Sequence, residues 1–94
     1  MTKKTTADEL SRLLAIPKSR GLEATLKAQL VAAVLRETRR RGLTHAELAG
    51  RSGLARSAVT GILAGSLQRV TIDRLLRLVE AAGLEAAIRT RRAA

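Results

Sequence analysis

Apolar residues recur at helical spacing through most of the chain. The clearest run begins at Leu22. Leu22, Leu26, Leu30 and Val34 follow an i, i+4 rhythm, and Val31 and Leu35 widen the stripe, which predicts an amphipathic helix to about Arg41. Its last turn carries Arg39, Arg40 and Arg41, suited to the negative end of the helix dipole, and Gly42 terminates it. Upstream, Thr6 and Glu9 have capping-box spacing, which predicts a short helix over residues 7–16 with Leu10, Leu13, Leu14 and Ile16 as its apolar set. Pro17 stops that helix, and Lys18-Ser19-Arg20-Gly21 reads as a turn or hinge.

Downstream the elements shorten. Thr44 and Glu47 form a second capping box, and Leu43 occupies the hydrophobic-staple position before the cap. A helix is expected from His45 to Arg51, a break at Ser52-Gly53-Leu54, and a further helix from about Arg56 to Ala64, closed by Gly65. After the loop 66–70, Thr71 caps a last helix whose apolar set is Ile72, Leu75, Leu76, Leu78 and Val79, with Gly83 behind it. The tail from Leu84 to Arg92 is consistent with a weak strand, a last helical turn or no regular structure. The expected fold class is therefore all-α with five helices. The chain divides into an N-terminal arm (1–21), a core domain (22–84) and a basic tail (85–94).

Composition narrows what such a bundle does. Lys and Arg number 18 against 8 acids, a net charge of +10, and Arg supplies 14 of the 18. A small domain this basic calls for a polyanion or an acidic partner, and guanidinium suits bidentate contact with phosphate or guanine. There is no Phe, Tyr or Trp. The core must be aliphatic, and the base-stacking platforms used to read single-stranded nucleic acid are missing. Binding of structured RNA through the basic surface is the weaker polyanion reading. With no Cys and one His, disulfides, thiolate zinc sites and cysteine nucleophiles are excluded. No catalytic residue, metal site or cofactor is expected. The apolar run at Leu13–Ile16 is too short for a signal-peptide core, and nothing approaches transmembrane length, so a cytoplasmic protein without membrane contact is expected.

Two short helices joined by a Gly-containing turn can set the second helix into a DNA major groove. The packing demands are met at fixed spacing. Ala49 is small where the helices cross, Gly53 tolerates positive φ in the turn, and Val59 and Ile62 face inward one turn apart. Leu48 and Leu54 close the motif's core. Arg56, Ser57, Thr60 and Gly61 fall on the opposite, polar face, where Arg can fork to guanine and the hydroxyls can serve several bases. Gly61 costs about 1 kcal/mol in mid-helix against Ala, which points to a close approach of backbone to DNA or to a neighbouring helix.

Residues 41–84 resemble the Xre/Cro-type helix-turn-helix domains of phage repressors and bacterial regulators. The run Gly42-Leu43-Thr44-His45-Ala46-Glu47-Leu48-Ala49 is similar to that family's Gly-Leu-Thr-Gln-x-Glu-Leu-Ala opening, and Val70 to Leu84 is similar to the HigA-like antitoxin subgroup. The resemblance implies a compact five-helix bundle of the lambda-repressor type. It implies base readout by Arg56, Ser57, Thr60 and Gly61. It also implies phosphate contacts from Thr44 and His45, from Arg39, Arg40 and Arg41, and from Ser66, Gln68 and Arg69 in the following loop. Three positions depart from the pattern: His45 stands for Gln, Ala55 for a Ser or Thr cap, and Ser66 for a Lys.

The function expected is operator-binding repression by a homodimer on double-stranded DNA. As the antitoxin of a type II toxin–antitoxin pair, the protein would also mask a small ribonuclease-type toxin through Leu10, Leu13, Leu14 and Ile16. The alternative is a stand-alone phage-type or mobile-element repressor.

Overall fold

A computed structural model describes residues 18–92. Four helices lie among the described residues: α1 (Lys18–Arg41), α2 (His45–Ser52), α3 (Arg56–Leu63) and α4 (Ile72–Ala81). The fifth expected helix, residues 7–16, falls outside them. No strand forms among the described residues, and the tail from Leu84 to Arg92 has no regular structure.

The last helix α4 packs against the long helix α1 and against α2, α2 packs against α3, and α3 also touches α1. The core is thin and aliphatic. Val31 and Val34 from α1, Leu48 from α2, Val59 and Ile62 from α3, and Leu75, Leu78, Val79 and Ala81 from α4 are all buried, and Ala82 joins them just past α4. Half-buried Leu30, Leu35, Leu43, Ala49, Leu54 and Leu84 pack around this centre.

Two sequence expectations for α1 are corrected. Lys18 to Gly21 is not a hinge but the first turn of the helix. A single glycine costs a helix only about 1 kcal/mol, which a helix of 24 residues can absorb, and here Gly21 is buried. Nor do Leu22 and Leu26 face the core: they are 48% and 39% exposed. The reason is geometric. A row spaced i, i+4 drifts about 40° around a helix of 3.6 residues per turn at each step, so Leu22 lies far around the cylinder from Val34. The inward stripe runs instead through Val34, Val31 and the buried Lys27. In α4, Leu76 likewise points outward, 37% exposed, while its neighbours Leu75 and Leu78 are sealed.

Helix ends follow the local code. Thr44 Oγ1 accepts from the Glu47 N–H at 3.0 Å while the Thr44 N–H donates to Glu47 Oε1 at 3.3 Å, so both halves of the capping box are made. Thr71 Oγ1 accepts from the Arg74 N–H at 3.2 Å and starts α4 in the same way.

Candidate nucleic-acid interface

The turn between α2 and α3 is fixed by Gly53 and Ser52. Gly53 sits at φ +75°, a left-handed conformation that other residues adopt at a cost, and its N–H closes on the Ala49 carbonyl at 3.0 Å. Ser52 is buried and bridges the turn: its hydroxyl donates to the Ala49 carbonyl at 3.4 Å and accepts from the Leu54 N–H at 3.2 Å. Sequence reasoning missed Ser52, although a short hydroxyl side chain beside a turn glycine is a known local signal. With the turn fixed, the sealed side chains of Leu48, Val59 and Ile62 set how α3 lies across α2.

That seating turns Arg56, Ser57 and Thr60 outward together on α3, all exposed, with Gly61 half-buried beside them. Ala55, the residue at the N-cap just before the helix, offers no side-chain cap. Apart from its chain neighbours and its own helix backbone, a Cβ built on Gly61 would meet nothing within 4 Å. The neighbouring-helix explanation for this glycine is thereby removed.

His45 opens α2, and its Nδ1 lies 2.9 Å from Thr60 Oγ1. Two residues expected to touch DNA separately are thus joined to each other. Ser66, Gln68 and Arg69 are exposed in the loop after α3. One residue before Gln68, the Leu67 carbonyl accepts from Lys27 Nζ at 3.3 Å, which ties the loop to α1. Lys27 Nζ also pairs with Glu23 at 2.9 Å.

The three arginines ending α1 differ in what they hold. Arg39 is exposed. Arg40 is engaged by Glu37, its Nε donating to Oε2 at 3.1 Å, and this hydrogen bond holds the Glu37 carboxyl below the usual carboxylate range. Arg41 reaches across the fold and donates from Nη1 to the Ala82 carbonyl at 3.0 Å. Arg51, from the end of α2, donates to the neighbouring Ala81 carbonyl at 3.4 Å. Two basic side chains therefore neutralise the C-terminal end of α4, where helix carbonyls carry partial negative charge. Neither role was legible in the chain, because each depends on a helix distant in sequence.

The outer side of α3, Thr44 ahead of α2 and the loop residues Ser66, Gln68 and Arg69 are polar and exposed, with positive charge from Arg56 and Arg69. No helix among the described residues is long and apolar enough to cross a membrane. No curated protein and no solved structure matches the chain. A family model described as a helix-turn-helix domain matches residues 8–91 of the 94. The chain belongs to this family of helix-turn-helix domains.

Proposed function

We propose that the protein is a sequence-specific repressor that binds operator DNA through α3 and acts by binding rather than by catalysis. The supporting observation is the two-sidedness of α3. Val59 and Ile62 are buried against the rest of the bundle, while Arg56, Ser57 and Thr60 present donors and acceptors to the outside from the same two turns. The net charge of +10 supplies the attraction for phosphate that such a face needs. One helix of eight residues reads too few base pairs to find a site in a genome. The active form is accordingly a homodimer on a palindrome whose half-sites lie about 34–36 Å apart. Thr44, His45, Ser66, Gln68, Arg69 and Arg39 hold the flanking phosphates in this reading, and Arg56, Ser57, Thr60 and the Gly61 backbone meet the bases. The test is footprinting on the protein's own upstream region, with the parent and Arg56→Ala. Loss of about 1–3 kcal/mol on the protected site, with non-specific binding retained, supports the reading. Equal loss on all DNA reduces Arg56 to a phosphate contact, and no protected site overturns the repressor.

A second role, as an antitoxin, draws support from Leu22 and Leu26. Both are exposed on α1, an apolar pair that a toxin could cover, and in sequence they come after the apolar set Leu10, Leu13, Leu14 and Ile16. Deleting residues 1–17 tests it. A truncated chain that still binds its operator but releases a co-expressed neighbouring toxin supports the antitoxin. A chain that no longer folds makes the segment part of the domain and favours the stand-alone repressor.

A further inference from the structure

We infer that His45 fixes the direction of the Thr60 hydroxyl, so that Thr60 reads DNA as an acceptor and selects a base pair through its exocyclic amino group. The inference rests on the DNA-binding reading above and adds the chemistry of one contact.

The starting observation is the 2.9 Å contact between His45 Nδ1 and Thr60 Oγ1. A hydroxyl brings one proton and two lone pairs, and a neutral imidazole brings one donor nitrogen and one acceptor. The contact can therefore run either way, and the rest of each residue's surroundings decides. A helical threonine commonly spends its proton on the carbonyl four residues back. Thr25 does so here, donating to the Gly21 carbonyl at 2.8 Å. Thr60 makes no such bond to Arg56 among the described residues, which leaves its proton available to the His45 Nδ1 that lies 2.9 Å away.

The imidazole side points the same way. His45 is the first residue of α2, at the positive helix end that attracts an anion. A phosphate oxygen at that position only accepts. A neutral ring that serves it from Nε2 must carry its proton there, which leaves Nδ1 as a bare acceptor. The Thr60 hydroxyl then donates to Nδ1, and only its lone pairs face the groove. In the major groove the complementary partners are adenine N6 and cytosine N4, the exocyclic amino groups; guanine O6 and N7 and thymine O4 offer none. A threonine without this histidine could serve either kind of base, so His45 supplies a discrimination that Thr60 alone lacks.

The experiment selects preferred sites from a random duplex library with the full chain, Thr60→Val and His45→Leu. Both substitutions are on the outer face and keep the side chain's bulk. The expected result is one base pair whose preference disappears in Thr60→Val. At that pair, deleting the amino group (purine for adenine, or pyrimidin-2-one for cytosine) should weaken the parent about fivefold, the worth of one hydrogen bond. The same deletion should leave Thr60→Val unaffected. In His45→Leu the cost of the amino deletion should shrink and the preference at that pair should relax, with the other positions of the site unchanged. The inference is overturned if Thr60→Val changes no position, or if the parent is sensitive to loss of a carbonyl rather than an amino group there. It is also overturned if His45→Leu weakens all sequences alike and keeps the full amino dependence, since His45 would then be a phosphate contact only. A parent chain that enriches no sequence removes the DNA-reading assignment itself, and this inference with it.

Discussion

The ammonium of Lys27 and the carbonyl of Leu67, forty residues apart in sequence, meet at 3.3 Å and join α1 to the loop that follows α3. Lys27 is 7% exposed, unusual for a residue whose charge favours water. The same carbonyl accepts from the Val70 N–H at 3.2 Å, so removing the lysine does not orphan it. Lys27→Met keeps the packing and deletes the donor. The expected loss is about 1 kcal/mol, read as a lower urea midpoint. DNA affinity should fall as well, because the loop carries Gln68 and Arg69. An unchanged midpoint would show that the contact contributes nothing.

Gly61 is expected to separate stability from binding. Apart from its chain neighbours and its own helix backbone, no protein atom lies within 4 Å of a Cβ placed there. Gly61→Ala should raise stability by about 1 kcal/mol through helix propensity alone. If α3 approaches DNA closely at this point, the added methyl should also weaken operator binding. A more stable variant with unaltered affinity would place Gly61 away from the DNA.

Gly83 presents the opposite case. It lies at φ +81°, and a Cβ there would come 2.6 Å from Arg41 Nη1. The guanidinium is the end of a flexible side chain and can move, but moving it breaks its bond to the Ala82 carbonyl. Gly83→Ala combines left-handed strain with that loss, and about 1–3 kcal/mol of destabilisation is expected in a thermal melt. Gly83→Ala in an Arg41→Met background should cost less, since the bond is already gone. Equal costs in both backgrounds would assign the whole effect to the backbone.

Thr38 carries a buried hydroxyl oxygen with no hydrogen-bond partner. Thr38→Val has nearly the same shape and removes the unsatisfied group. Its melting temperature should match or exceed that of the parent, by up to the worth of about 1 kcal/mol. A lower value would mean that the hydroxyl is bonded, for example to water.

Binding to duplex DNA should weaken steeply with salt, as phosphate contacts release counterions. A log–log slope shallower than about −2 would be too few contacts for the face described. Arg41→Met should leave this slope nearly unchanged, because its guanidinium is engaged by α4. Arg69→Met, in the exposed loop, should reduce the slope by about one.

Local chemistry explains what could be read from the chain and what could not. The Thr44–Glu47 capping box, the Gly53 turn and the inward pair Val59 and Ile62 each act over four residues or fewer, so their geometry is encoded where they stand. The α1 expectation failed for a different reason. Which side of a long helix faces inward is decided by its partner, and α4 selected the stripe through Val31 and Val34 over the more regular leucine row. Lys27, Arg41 and Arg51 look in sequence like part of a general positive charge. Their carbonyl partners lie 30 to 41 residues away, and only the fold assigns them. At the interface, the composition of the outer α3 face was legible, but the link between His45 and Thr60 was not.

The two arginines on the end of α4 bear on how the domain comes apart. Arg41 belongs to α1 and Arg51 to α2, and they reach adjacent carbonyls, Ala82 and Ala81. Undocking either helix exposes the end of α4 as well as a share of a core that has no aromatic ring to hold a remnant together. Partial opening therefore forfeits charge and packing at once, and intermediates with one helix detached have little to sustain them. A single sharp transition, the same whether followed by helix content or by amide exchange at α4, is the behaviour this arrangement imposes.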